Sequence, residues 1–515
     1  MGAISSGRTV PRGSCLTPER LAKMQIGGNF LSDAEKQIFI DILFQFEGAI
    51  AFDDSEMGLL NPEIEPPVTI HTIPHVPWQQ QNIRLPKAMQ DIATQHVKEK
   101  LASGMLEFSQ GPYQSRYFLV KKKKAGEFRF INDVQLLNGV TIRDSGMPPS
   151  VDEFSEDFAG YPITSSVDHY SGYNQILLDI TSRDLTAFLT ALGLVRNTRL
   201  PQGWTNSVAI FQCIMGKVHY RQIPHEAHPF LDDCRIKGPK SRYDDVEIVP
   251  GVRKFVLEHA QIFTRFMHDT WKAGLTISGE KCAIGMPGIA IVGMVCDFDG
   301  RHPEKKVAVI LDWPVPQSTK EARAFIGVVI YYRIFIICFS IIAAPIFQLF
   351  RKNVRFLWSQ ECQNAMDELK RRLTTAPILI SLDFSPSALM IILNVDASTT
   401  IGWDAVLSQM QPDGKTRPAR FESGIWSSAE LKYDTVKLEC RGLLKALKKF
   451  RFWLYAEMST RRGESAFSQL VTRRGEASQG SNSARRVRGP SDEPSCTCNS
   501  LASCSSLVVW TLFYD

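Results

Sequence analysis

The chain has 515 residues, of which 44% are hydrophobic, 22% charged and 10% aromatic. That length and composition suit about three domains that each bury a core, and exclude a disordered, collagen-like or disulfide-stapled chain. The net charge of +5 is mild, so any grip on nucleic acid must come from local patches rather than a global field.

The eleven cysteines include no C-x-x-C pair, so neither a zinc finger nor a secreted disulfide framework is supported, and reduced thiols in an intracellular compartment are the simplest expectation. Residues 1–80 are loosely patterned and end in the proline-punctuated NPEIEPPVTIHTIPHVPW at 61–78. This stretch predicts an N-terminal extension closing in an extended linker. Apolar residues at 85, 89, 92, 97 and 101 predict a helix that Gly104 can end. Short β-type runs follow at 117–120, 127–131 and 163–167, mixed with helical stretches, and this mixture reads as α+β. STKE at 318–321 is a capping box ahead of an apolar face at 322, 325, 326 and 329. The run IFIICFSIIAAPIFQLF at 334–350 is at the short limit for a membrane span and is interrupted by Pro345, so it reads as buried core rather than a membrane segment. A second helix starts at Trp358-Ser359 and stops before Pro377. β-type runs at 389–395 and 405–407 then precede a helix over 436–454. After Tyr455 the composition turns to Ser, Arg and Gly, and TRRGESA at 460–466 recurs as TRRGEAS at 472–478. Residues 456–515 therefore read as an aberrant, disordered tail.

Three aspartates stand in suggestive settings. Asp168 ends an apolar strand-like run, and Asp232 and Asp233 follow Phe230-Leu231 in a segment short enough for a hairpin turn. An adjacent Asp-Asp pair alone is most often a solvated turn. Carboxylates at neighbouring strand ends, however, suit Mg²⁺, which takes a few of them and keeps positions for water and phosphate oxygens. Two such ions can clamp an in-line phosphoryl transfer.

The words around the aspartates form a series: DHYSGYNQ at 168–175, LPQGWTN at 200–206 and FLDD at 230–233. In that order they resemble the reverse transcriptases of gypsy-type LTR retrotransposons, in particular those of fungal genomes. These carry L-D-x-x-S-G-Y-x-Q, L-P-x-G-x-T-N and Y/F-x-D-D. The resemblance runs from about Leu16 to Leu454 and implies a right-hand polymerase of fingers, palm and thumb, followed by a partial ribonuclease H-like α/β domain. The implied division is an extension at 1–80, fingers and palm at 81–305, thumb and connection at 306–380, the partial ribonuclease H domain at 381–455 and the tail from 456.

Carried over by position, the resemblance makes Asp168, Asp232 and Asp233 the ligands of two Mg²⁺ or Mn²⁺ ions. Lys122 in LVKKKK and Arg129 in EFRF match positions that hold the incoming deoxynucleoside triphosphate. A lysine run before a strand is otherwise most often a solvated face. Tyr173 matches the aromatic that excludes a ribose 2′-hydroxyl, its alternative being a core tyrosine. Gln202 matches a contact to nucleotide and template, and Lys281 in GEKC a proton donor to the leaving pyrophosphate. The implied partner is an RNA or DNA template-primer, inside the cell, in a cytoplasmic virus-like particle or the nucleus. DWP at 312–314 and YYRIFIICFSIIAAPI at 331–346 match the thumb, where relatives read closer to YYRRFIPNFSKIAAPL.

Asp396 in ILNVDAS and Glu439 in KLE match two ribonuclease H ligands, whereas no aspartate lies between Asp434 and Asp492 to serve as the third. The expected function is an RNA-directed DNA polymerase with an inactive ribonuclease H remnant. The alternative is a catalytically dead relic that only binds nucleic acid.

Overall fold

The computed structural model describes residues 7–121, 128–146, 150–304, 308–385, 387–460 and 508–511. The chain divides into two units, Met1–Val292 with Cys296–Phe298, and Gly293–Val295 with Asp299–Asp515.

The first unit opens on α1 (Asp33–Gln45), whose capping box is complete: Ser32 Oγ accepts from the Glu35 amide and Glu35 accepts from the Ser32 amide. Phe39, Ile42 and Leu43 of α1 are buried in the same core as the strands that follow. The expectation of a loose extension therefore fails here. The i, i+3, i+4 spacing of those three residues makes a core helix, and Ile38, Ile40 and Phe44 on its other sides blurred the pattern. Helix α2 (Lys87–Ala102) ends as predicted, with Gly104 at φ +70°. Strands β1 (Tyr117–Lys121) and β2 (Phe128–Asn132) form an antiparallel hairpin with Tyr117 stacked on Phe130 at 5.2 Å.

The central sheet contains β3 (Thr164–Asp168), β4 (Ala227–Phe230), β5 (Asp233–Lys237) and β6 (Ala283–Met286), with α3 (Ser207–Val218) and α4 (Lys254–Lys272) interleaved in sequence. Its order is Gln25–Ile26, β6, β3, β5, β4. The short edge strand runs parallel to β6 and the remaining pairs are antiparallel. Helix α4 buries Phe255, Val256, Phe263, Phe266 and Met267 in the core and packs on β5 and α1.

One ion pair joins α1 to the residue that precedes α4. Glu35, 0% exposed, accepts from the Arg253 amide at 2.9 Å, from Nε at 2.9 Å and from Nη2 at 2.8 Å. Burial alone would raise the Glu35 pKa, but the Arg253 hydrogen bonds outweigh it and leave the carboxyl below its ordinary value. Arg253→Ala would strand a buried carboxylate, at a cost of about 3–5 kcal/mol in urea unfolding at neutral pH. Because the folded-state pKa is depressed, the pair's contribution is fully present above the unfolded value near 4.5 and is lost as pH falls through the folded value. The gap between variant and wild type should therefore narrow in acid. An equal gap at every pH would assign the loss to packing alone.

In the second unit Ser318 caps α5 (Thr319–Val329) by accepting from the Glu321 amide. The return bond comes to Glu321 from the Gln317 amide, one residue earlier than the expected box. The apolar run forms a 3-10 turn (Ile330–Phe335) and two short helices (Phe339–Ile342, Ala344–Gln348) that bury Ile334, Phe335, Ile336, Phe339 and Ile346 against α6 (Gln360–Thr374). Among the described residues no helix is long and apolar enough to cross a membrane.

The antiparallel strands β7 (Ile391–Ala397), β8 (Gly402–Met410) and β9 (Thr416–Ile425) then pack against α7 (Thr435–Thr460). The helix runs past the expected end at Leu454. Strand β10 (Val508–Thr511) pairs antiparallel with Ile392–Val395 of β7. The reading of the whole tail as disordered does not hold for these four residues, whose Val-Val-Trp-Thr sequence is β-forming and meets an open sheet edge. Most of the arginine-rich tail lies outside the described residues, including all but Thr460 of the two heptapeptides.

Candidate active site

The β4–β5 hairpin closes through two residues, Leu231 and Asp232, with Phe230 paired to Asp233. Leu231 sits at φ 58°, a left-handed conformation that a branched side chain rarely adopts. Gln212 of α3 holds it there: its Oε1 accepts from the Leu231 amide at 2.9 Å and its Nε2 donates to the Pro229 carbonyl at 2.9 Å. The Asp232 carbonyl accepts from the His169 amide at 2.9 Å. Backbone strain is thus retained at the hairpin tip by fixed partners on α3 and at the end of β3. Gln212 was not singled out from the sequence, because a glutamine inside an amphipathic helix carries no local signal.

Asp168, the last residue of β3, is the cross-strand partner of Asp233, the first of β5. Side chains directly opposite in an antiparallel pair share a face, so the register places these two carboxyls together and leaves Asp232, exposed, in the turn beside them. Lys281 Nζ reaches Asp168 Oδ1 at 3.1 Å. Burial raises the Asp168 pKa, Lys281 opposes that shift, and the charges of Asp232 and Asp233 reinforce it. Asp233 is held from behind by Arg235 Nη2 at 3.2 Å. The result is a cluster of oxygen donors whose mutual repulsion only partly finds a cationic partner. Such a donor set fits a hard divalent cation.

The neighbouring words have divided duties. In DHYSGYNQ, Gly172 is obligatory, since a Cβ there would come within 2.8 Å of Phe211. Half-buried Tyr173 lies against the Phe211 ring at 5.2 Å. Buried Gln175 is a clamp, accepting from the Thr276 amide at 2.7 Å and donating to the carbonyls of Tyr170 and Thr276. In LPQGWTN, Trp204 Nε1 donates to Thr141 Oγ1 at 2.9 Å and Asn206 Nδ2 to the Ile142 carbonyl at 2.8 Å. That anchoring leaves Gln202 exposed on the loop. Arg129 is exposed on the β1–β2 hairpin, while Lys122 lies outside the described residues.

In the second unit Asp396 of β7 pairs with Asp404 of β8, and Glu439 lies on α7, half-buried. Asp404 was overlooked in the sequence because its partner is named only by strand register. Burial raises its pKa to about 6, against a Cys338 hydrogen bond and with the help of the Asp396 charge.

A sheet bearing one carboxylate at a strand end, two more at an adjacent hairpin, and a separate fingers-type hairpin defines the palm of a right-hand polymerase. Residues 120–330 match the family model described as reverse transcriptase (RNA-dependent DNA polymerase), and residues 358–460 the RNase H-like domain found in reverse transcriptase. The chain is 28% identical over 390 residues to the retrovirus-related Pol polyprotein from transposon 412 of Drosophila melanogaster, covering 75% of this chain and 30% of that one. It is 27% identical over 405 residues to that from transposon gypsy of the same fly, covering 75% and 37%. It is 26% identical over 374 residues to the transposon Tf2-3 polyprotein of Schizosaccharomyces pombe, covering 72% and 27%. It thus spans about a third of the length of these relatives. A foamy viral protease-reverse transcriptase in complex with double-stranded DNA has the same fold, with a TM-score of 0.71 at 20% identity, covering 84% of this chain and 71% of that one. The chain therefore contains a reverse transcriptase domain of the retrotransposon polyprotein kind, followed by a ribonuclease H-like region.

Proposed function

We propose that this chain is an RNA-directed DNA polymerase of a gypsy-type element that extends a primer on an RNA or DNA template by two-metal nucleotidyl transfer. The observation that carries the reading is the register of Asp168 opposite Asp233, with Asp232 in the tight turn between strands. Asp168, Asp232 and Asp233 would hold two Mg²⁺ or Mn²⁺ ions. When bound, such ions supply charge neutralisation at the transferring phosphate and lower the pKa of the primer hydroxyl. Lys281, beside Asp168, would give a proton to the leaving pyrophosphate, and Arg129 would grip the triphosphate through a bidentate guanidinium. Lys122 and Gln202 complete the proposed nucleotide contacts. The relatives in insect and fission yeast agree with a retroelement origin, and the motif wording favours a fungal one. Cysteine spacing without a C-x-x-C pair supports an intracellular setting, in a virus-like particle or the nucleus.

Purified protein on a homopolymer RNA template with a complementary DNA primer tests the reading. Extension that requires Mg²⁺ or Mn²⁺ and deoxynucleotides supports it. Salt-sensitive, sequence-independent binding without extension would leave only a nucleic-acid binder.

Tyr173 is proposed to exclude the ribose 2′-hydroxyl, which distinguishes RNA from DNA building blocks. Tyr173→Ala is expected to raise ribonucleotide incorporation relative to deoxynucleotide by about 10-fold or more, while lowering total rate less. An unchanged ratio in competition extension assays would reduce the ring to packing on Phe211.

A further inference from the structure

Behind the carboxylates lies a second cluster of a different chemistry. His169 follows Asp168 directly, Cys234 follows Asp233 on β5, and His219 caps the C-terminal end of α3. All three are buried, at 1%, 0% and 0% exposure respectively. One ligand atom from each, a ring nitrogen or the sulfur, lies within 4.8 Å of the other two. Cys234 Sγ is 3.6 Å from His169 Nε2. Among the described residues, neither ring nitrogen of His219 has a hydrogen-bond partner. Buried polar atoms left this way call for an explanation such as a missing water or ion.

We propose that these three side chains form a zinc-class metal site in the palm, tying β3, β5 and α3 together immediately behind the proposed catalytic carboxylates. Two imidazoles and a thiol are borderline-soft donors that suit Zn²⁺ and not Mg²⁺. Tetrahedral zinc, with Zn–N about 2.0–2.1 Å and Zn–S about 2.3 Å, sets nitrogen and sulfur ligands about 3.5 Å apart. The observed sulfur–nitrogen separation already matches that spacing. Phe266 stacks on the His219 ring at 4.1 Å and 5° and fixes its plane, and Phe211 lies edge-on to His169 at 6.1 Å. Rings held in place by packing lose little freedom on ligation. Zinc takes cysteine as the thiolate, so Cys234 would release its proton to solvent as the cation binds. The fourth position is left to a water. The inference is independent of polymerase activity, since it concerns metal content alone.

The full-length chain, expressed with zinc and dialysed into Mg²⁺ buffer, should retain one zinc per chain by elemental analysis. X-ray absorption at the zinc edge should show mixed nitrogen and sulfur ligands with one sulfur. Cobalt substitution should give a sulfur-to-cobalt charge-transfer band. Cys234→Ser should abolish that band and weaken binding by at least about 100-fold, whereas His219→Gln should weaken binding similarly but keep the sulfur band in the cobalt that remains bound. Cys362→Ser, a buried cysteine in the second unit, should change neither. If Cys234→Ser does not fold, the absorption spectrum of the wild type decides alone. Wild type that holds no zinc and takes up no cobalt would overturn the proposal, leaving a hydrated pocket. Metal held by several sulfurs, or fully retained in Cys234→Ser, would overturn it in favour of other cysteines.

Discussion

Asp232→Asn is expected to lower primer extension on the order of 10³-fold or more, with little change in template-primer affinity. The substitution keeps side-chain size and removes one charge from a cluster whose proposed task is to hold cations against developing phosphate charge. The fold should tolerate it, because the turn is held through backbone groups: the His169 amide on the Asp232 carbonyl, and Gln212 on Leu231 and Pro229. Rate and affinity therefore separate, and single-turnover extension alongside a binding titration reads both. A variant that extends like the wild type would end the assignment of Asp232 as a metal ligand. Loss of binding in parallel with rate would point instead to a collapsed hairpin.

The second all-or-none expectation concerns the other unit: no cleavage of the RNA strand in an RNA–DNA hybrid, even where polymerisation works. Asp396 and Glu439 supply two carboxylates, and register adds Asp404 opposite Asp396. Asp404 is a poor third ligand, however. Burial has lifted its pKa to about 6, and its carboxyl is already engaged by the Cys338 thiol. The sequence also has no aspartate between Asp434 and Asp492, where the resemblance implies the next ligand. A misplacement of about 1 Å can cost on the order of 10²-fold in rate. Strand β10 occupies the open edge of β7 but brings Val-Val-Trp-Thr and no carboxylate. A labelled hybrid incubated with Mg²⁺ or Mn²⁺ checks this. Cleavage that vanishes in Asp396→Asn would show that Asp404, or some other group, completes the centre.

Where side-chain chemistry is spelled by adjacent residues, the sequence was legible. DHYSGYNQ, LPQGWTN and FLDD each place their polar residues by local geometry, so the order of motifs pointed to the polymerase class and to Asp168, Asp232 and Asp233. The Ser318 cap, the Gly104 helix end and the core role of the 334–350 run were equally local, because each depends on periodicity or backbone conformation within one or two turns. What the sequence left hidden depends on partners far along the chain. Helix α1 is tied to the core through Glu35, whose partner Arg253 lies 218 residues away. Gln212 acts on the hairpin only because α3 packs beside it. Gln175, singled out as motif, proves to be a clamp on Thr276. Register alone made Asp404 the neighbour of Asp396, and only the convergence of β3, β5 and α3 brought His169, His219 and Cys234 together. The order of short motifs, through their resemblance to a known family, pointed to the class of protein and its candidate carboxylates. Long-range packing, which no local preference encodes, decided which polar groups are buried, which are held, and which are left in want of a partner.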